Sequence, residues 1–272
     1  MYIISLKILM KFKGTTMLLA FDIGNTNIDV GVFNKSVLLQ HWRIDSQTNK
    51  TLDEWYVLLY VLFTSAKLSL KEITGVAVSS VVPGITDSIC KFTKKTFSIE
   101  SFLITSNSDL GITIRYNEPT AVGADRLCNA VAGVALFEGP LIIIDFGTAT
   151  TYDIVSAHRE YLGGIIAPGL ETATRILHQC AAKLPSVELS FPNSVVGTNT
   201  EQSIQAGILY GAVASVEGLV KRINEELGYK STVIGTGGLA LLIGERTTVI
   251  NHYIPELTLI GIEKIYHRTY PE

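Results

Sequence analysis

The sequence predicts an α/β protein made of two halves of like topology, and a repeated signature carries that expectation. Asp22-Ile23-Gly24-Asn25-Thr26-Asn27 follows the apolar run Met17-Leu18-Leu19-Ala20-Phe21, and Asp145-Phe146-Gly147-Thr148-Ala149-Thr150 follows Leu141-Ile142-Ile143-Ile144. Each copy is a carboxylate at the tip of a buried strand, a glycine turn, then small hydroxyl or amide residues. More β-like sequence follows each copy, over 28–33 and 151–155. The second observation is the alternation of strand-like and helical stretches after each copy. With one signature heading each half, two α/β domains of like topology facing a cleft are expected.

In the first half a β-meander is expected over 17–22, 28–33 and 37–43, then a helix near 51–66. Thr51, Asp53 and Glu54 suit its start, and the apolar run 55–63 is under half the length of a membrane span, so it reads as a buried helix. A strand at 74–80, a helix at about 85–96 and a short strand at 101–104 follow. A helix from Gly123 to about Phe137 is expected, with Leu127, Val131, Ala135 and Leu136 as its expected buried face. The second half restarts with strands at 141–145, 150–155 and 161–166 and a helix from about Pro168. A long helix near 200–227 follows, with Asn199 and Gln202 as a capping box. Then come a strand at 232–235, a turn at Gly235-Thr236-Gly237-Gly238 leading into a helix, and a last helix at about 256–268. The expected domains are 17–137 and 138–272. Residues 1–16 lack the basic leading region and cleavage site of a signal peptide and are expected to be a disordered or weakly packed extension.

Composition excludes several functions. At 272 residues, 47% apolar and 17% charged, the chain is globular and able to bury a core. A net charge of −3 gives no global attraction to nucleic acid or anionic membrane, so any anionic ligand is held by local geometry. Cys90, Cys128 and Cys180 have neither disulfide nor zinc spacing, and the five histidines form no metal-ligand pattern and are expected on surfaces. A cytoplasmic protein is expected.

The chemistry resides in the hairpins and one loop. A glycine turn after a strand brings backbone N–H groups against phosphate oxygens, while Asp22 faces a cation such as Mg²⁺ through water. Asn25, Thr26 and Asn27 can donate to phosphates, as can Thr148 and Thr150, and Asp145 offers a second cation site. Each hairpin alone is also what a structural Asp turn looks like, and the 235–238 turn reads either as an adenine or ribose contact or as a plain glycine turn. An ATP-dependent phosphotransferase is the expected product of the two hairpins together. The segment from Tyr116 to Arg126 is polar and ends at a helix start, where N–H groups favour anions. Within it Asp125 can accept a proton and Arg126 can bind a carboxylate; equally, Asp125 is a first-turn residue favoured by the helix dipole and Arg126 a solvated charge. The dipole is expected to lower the pKa of Asp125. Thr200 reads as a first-turn residue or as a hydroxyl presented to a ligand.

Taken in order, Asp22 to Asn27, the Tyr116…Gly123-Ala124-Asp125-Arg126 block, the Asp145 hairpin and Gly163-Gly164-Ile165-Ile166-Ala167-Pro168-Gly169 resemble type III pantothenate kinases from Met17 to near the C-terminus. That resemblance implies two duplicated actin-like (ribonuclease H-like) domains with mixed β-sheets flanked by helices around an ATP cleft. It implies phosphorylation of pantothenate by ATP to 4′-phosphopantothenate, the first step of coenzyme A synthesis. Asp22, Ile23, Gly24, Asn25, Thr26, Asn27 and Thr148 would bind ATP. Asp125 would be the general base, and Tyr116, Gly123, Ala124, Asp125, Arg126 and Thr200 would contact pantothenate. Asp145 would hold K⁺ or NH₄⁺, Asp22 would serve Mg²⁺, and the protein would be a homodimer. Thr198 stands where a lysine is common in the family, which bears on the contacts near Thr200. The rival readings are another actin-like small-molecule kinase or a phosphatase, and a non-enzymatic regulator. The last is disfavoured by the absence of a basic stripe and by the intact signature carboxylates.

Overall fold

Each signature heads a sheet, and the five strands of the first sheet are matched in order by five of the six strands of the second. The structure is a computed structural model and describes residues 17–46, 50–181 and 183–271, so the expected extension over 1–16 lies outside the described residues. The first sheet contains β1 (Met17–Ile23), β2 (Asn27–Asn34), β3 (Val37–Asp45), β4 (Ile73–Ser80) and β5 (Phe102–Leu103), in the order β3-β2-β1-β4-β5. β1 pairs antiparallel with β2 and parallel with β4. In the second half β7 (Leu141–Phe146), β8 (Ala149–Val155), β9 (Glu160–Pro168), β10 (Thr232–Thr236) and β11 (His252–Tyr253) run in the order β11-β10-β7-β8-β9. There β7 pairs antiparallel with β8 and parallel with β10. Position by position, β7 repeats β1, β8 repeats β2 and β10 repeats β4. The duplication read from twelve residues therefore extends to whole sheets.

The chain divides after Phe137 into two compact units, but the division is not the single cut expected. Glu138–His158 and Leu162–Pro255 form one unit, whereas Arg159–Tyr161 and Glu256–Glu272 belong with the N-terminal half. The reason is packing: α7 (Leu257–Thr269) lies along α3 (Ala124–Leu136) and on β1, burying Leu259, Ile262 and Ile265. Tyr161 is carried over with the pairing of β6 (Thr113–Ile114) to Glu160 and Tyr161, a strand the sequence pattern did not reveal.

In the N-terminal unit one face of the sheet is apolar. Leu19, Phe21, Ile23, Ile28, Val30, Val32, Val76 and Val78 pack on α1 (Leu52–Ser65) and α2 (Pro83–Phe97) through Trp55, Leu59, Phe63, Ile85, Ile89 and Phe92. The other face carries small residues, Ala20, Gly31, Gly75 and Ala77, which leave room for α7, and ends in the polar row that forms the site. α1 starts as expected: the Glu54 N–H donates to Thr51 Oγ1 and the Thr51 N–H to Glu54 Oε2. It is buried on one side only; Tyr56, Val57, Tyr60 and Val61 face outward, because a helix on one face of a sheet has only one face to bury.

In the other unit α5 (Thr200–Leu227) buries Ile204, Leu209, Val213, Val216, Val220 and Ile223 against the sheet, beside α4 (Leu170–Cys180) and α6 (Ala240–Gly244). Among the described residues α5 is the one helix long and apolar enough to cross a membrane, and 44% of its most apolar window is buried in this core. Two histidines expected on the surface are half-buried partners of carboxylates, His41 of Asp29 and His267 of Glu263.

Candidate active site

In the N-terminal unit Asp22 occupies the penultimate position of β1, after which the chain turns through Gly24, whose N–H donates to the Asn27 carbonyl at 3.0 Å. Asn25 and Asn27 are exposed and Thr26 is half-buried, so their polar groups reach the surface of the turn. Ile23 belongs to the core, and its carbonyl accepts from the Val81 N–H, so it shapes the turn and its side chain offers a ligand nothing.

Strand register builds a polar row beside this turn. Asp22 lies opposite Asp29 on β2, Asp29 opposite Arg43 on β3, and Asp22 beside Ser79 on β4. Directly paired residues share a face of the sheet. Ser79 Oγ donates to Asp22 Oδ1 at 2.9 Å. Arg43 clasps both oxygens of Asp29 at 3.0 Å, and His41 Nε2 approaches Asp29 Oδ1 at 2.6 Å. Burial alone pushes the Asp29 carboxyl up, but the His41 and Arg43 hydrogen bonds outweigh it and hold the carboxyl below the ordinary value.

The Tyr116 to Arg126 block folds as a loop with one 3-10 turn at Pro119–Ala121 and feeds directly into α3, with Gly123 as its N-cap and Ala124 buried in its first turn. Asp125 Oδ1 accepts the Arg126 N–H at 2.8 Å. Burial dominates this carboxyl and raises its pKa, against the lowering effects of the Arg126 N–H, the Arg126 charge and its own N–H. The helix-dipole expectation was thus of the wrong sign: Asp125 is withdrawn from water, and desolvation of the charged form exceeds what the helix start returns. A Cβ at Gly123 would overlap Asp125 Oδ1, so any side chain at this position would displace that carboxylate.

The Arg126 side chain is buried and its guanidinium lies 5.9 Å from the centre of the Tyr161 ring. Tyr116, itself exposed, meets the same ring at 6.5 Å. Tyr161 was not anticipated; in the sequence it is one apolar residue of a strand, and nothing marks it as the platform that gathers Tyr116 and Arg126. Cys128, which has neither disulfide nor zinc spacing, lies one turn after Asp125. It is fully buried, and its thiol is pushed well up by burial first and then by the carboxylates of Asp22 and Asp125, so it lies within electrostatic reach of both. Asp22, Ser79, Cys128 and Asp125 therefore belong to one neighbourhood, half of it invisible in the motifs.

The other unit repeats the hairpin with different support. Asp145 lies opposite Thr151 on β8 and beside Thr236 on β10, the register position that Ser79 holds beside Asp22. The Gly147 N–H closes the turn onto the Ala149 carbonyl at 3.2 Å. The exposed Thr148 ties the hairpin to the start of α4: its carbonyl accepts the Gly169 N–H at 3.2 Å and Thr172 Oγ1 at 2.8 Å. The 235–238 turn serves the hairpin. Gly237, at φ +87°, sits so close that a Cβ would lie 2.5 Å from Asp145 Oδ1 and 2.8 Å from the Phe146 backbone. The helix it enters, α6, is only five residues long.

Thr200 opens α5 and is exposed. Asn199 caps the helix by accepting the Gln202 N–H at 2.9 Å, but the expected reciprocal bond shifts back by one residue. Gln202 Oε1 accepts from the N–H and Oγ1 of Thr198 at 3.1 and 3.0 Å. Thr198, the departure from the family pattern, is thus part of the cap. Among the described residues no three His, Cys, Asp or Glu side chains cluster as a metal centre.

Five strands in each sheet repeat one order, each set with a carboxylate at the tip of its first strand, and this α/β fold is similar to that of solved small-molecule kinases. The fold is similar to that of a Campylobacter jejuni protein described as a Baf family transcriptional activator (TM-score 0.59, 16% identity, covering 93% of this chain and 100% of that one). It is also similar to that of a Sinorhizobium meliloti protein described as a 2-dehydro-3-deoxygalactonokinase (TM-score 0.56, 11% identity, 94% and 97% covered). Residues 18–222 match the type III pantothenate kinases. The chain is 46% identical over 252 residues to the Type III pantothenate kinase of Bacillus cytotoxicus, covering 93% of this chain and 96% of the relative. The chain belongs to the type III pantothenate kinase family.

Proposed function

We infer that Asp125 takes the proton from the attacking hydroxyl of pantothenate, in the ATP-dependent phosphorylation that opens coenzyme A synthesis and that family membership assigns to this chain. The observation that carries this reading is a carboxylate at a helix start whose pKa is raised by burial, next to a buried arginine. Desolvation makes Asp125 a better base than an exposed aspartate, and the Arg126 N–H fixes one oxygen and leaves the other for the hydroxyl. The hydroxyl oxygen attacks the γ-phosphorus, the bond to the β-γ bridging oxygen breaks, and ADP leaves. A loose transition state asks mostly for such positioning.

Arg126, held over Tyr161, offers the fork that a pantothenate carboxylate needs, and Tyr116 supplies the wall beside it. Gly123 and Ala124 present backbone at the helix start, and Thr200 offers a hydroxyl. Asn25, Thr26, Asn27 and Thr148 contact the nucleotide phosphates, with Gly24 admitting them and Ile23 holding the turn. Asp22 is an oxygen donor anchored by Ser79, which fits Mg²⁺ kept largely hydrated; the ion, when bound, offsets charge on the phosphate oxygens. Asp145 is the ligand for an activating K⁺ or NH₄⁺. The protein works as a cytoplasmic homodimer, to which the exposed Ile166, Val195 and Val196 offer apolar surface.

Calorimetric titration of pantothenate tests the substrate assignment. Arg126→Gln is expected to weaken binding at least about tenfold, the worth of one charge-assisted hydrogen bond. Wild-type affinity in that variant would contradict the assignment.

A further inference from the structure

Ser79 is fully buried on β4, in register with Asp22, and belongs to none of the signature motifs. Its one hydroxyl proton goes to Asp22 Oδ1 at 2.9 Å. The fully buried Cys128 on α3 lies within electrostatic reach of the same carboxylate, and α7 crosses α3 there with Gly261 against the Cys128 backbone. The duplicated half puts another buried hydroxyl residue, Thr236, at the same register position beside its own signature aspartate.

We propose that Ser79 is a positioning residue for the metal–nucleotide: it holds the Asp22 carboxylate in the rotamer that receives hydrated Mg²⁺ and the phosphates. This rests on the reading of Asp22 as the Mg²⁺ carboxylate. A carboxylate at a strand tip has several staggered rotamers open to it, and the Ser79 bond favours one of them, which sets how the carboxylate faces a cation. Ser79 never touches the ligand; it acts through Asp22.

The test is calorimetric titration of a non-hydrolysable ATP analogue, with Mg²⁺ and without, into the wild type, Ser79→Ala, Ser79→Thr, Asp22→Asn and the Ser79→Ala/Asp22→Asn double variant. Melting temperatures are measured in parallel. Loss of one hydrogen bond to a charged group corresponds to about a tenfold weakening or more. Ser79→Ala should therefore weaken the Mg²⁺-dependent affinity about tenfold while leaving metal-free nucleotide and pantothenate affinities unchanged. Ser79→Thr, which keeps the donor, should restore it, and in the Asp22→Asn background Ser79→Ala should add less than about twofold. Full additivity in the double variant, a failure of Ser79→Thr to rescue in a folded protein, or wild-type affinity in Ser79→Ala would each overturn the proposal. Should Asp22→Asn itself bind Mg²⁺–nucleotide normally, the reading of Asp22 fails, which separates that failure from failure of the role of Ser79.

Discussion

Replacing Asp125 by Asn separates a catalytic carboxylate from a structural one, because the structure predicts opposite signs for rate and stability. Asn keeps the size of the side chain and can still accept the Arg126 N–H, but cannot take a proton. Loss of a general base costs about 10²–10⁴ in kcat, or about 2.7–5.5 kcal/mol of barrier. A loose transition state that needs mainly orientation places the loss toward the lower end. Stability moves the other way. The folded pKa of Asp125 is raised from 3.8 by burial, so the folded state binds its proton more tightly than the unfolded chain does. The stability this group contributes is fully present below the unfolded value and is lost as pH rises through the folded one. At neutral pH the ionised carboxylate is therefore a burden that Asn removes, and the melting temperature of Asp125→Asn should equal or exceed that of the wild type. The assay is coupled ADP release for kcat, with thermal melts at pH 4 and pH 7. Near-wild-type turnover would refute the catalytic role, and a large drop in melting temperature at pH 7 would refute the burial argument.

Gly123→Ala, whose Cβ would overlap Asp125 Oδ1, should cut kcat at least about tenfold by displacing that carboxylate, with nucleotide affinity unchanged by calorimetry. Asp145→Ala should abolish most of the stimulation by K⁺ over Na⁺ in the ADP assay; an intact K⁺ response would place the cation elsewhere. Gly237→Ala forces a non-glycine residue to φ +87° and presses on Asp145, so chemical denaturation should show a loss of about 1–2 kcal/mol or more, accompanied by weaker K⁺ stimulation. Asp29 has a depressed pKa, so its contribution to stability is present above the unfolded value of 3.8 and lost as pH falls through the folded one. Asp29→Asn should accordingly cost about 1–2 kcal/mol at pH 7, discounted for the partly exposed Arg43, and flatten the acid limb of stability against pH.

Much of the fold was legible because the signals were local. The two Asp-x-Gly hairpins and the N-caps at Thr51 and Asn199 each lie within a few residues of sequence and formed at the expected positions, the Gln202 side chain alone closing onto Thr198 instead of Asn199. What escaped was set by packing over long separations. That α7 returns to the N-terminal unit is decided by small residues on β1, β2 and β4 and by Gly261 against Cys128, none of which has a sequence period. The sign of the Asp125 shift escaped for the same reason: the helix start is visible in the sequence, but the burial that outweighs it is not. Ser79 and Tyr161, which support Asp22 and Arg126, are ordinary strand residues until register sets them beside their partners.

The central claim, that the duplicated hairpins and Asp125 serve phosphoryl transfer to pantothenate, is tested most directly by ADP formation from ATP with and without pantothenate, the product being identified by mass spectrometry. The account predicts ADP release that depends on pantothenate and yields 4′-phosphopantothenate in equal amount. Release of ADP and free phosphate at the same rate without pantothenate would contradict it.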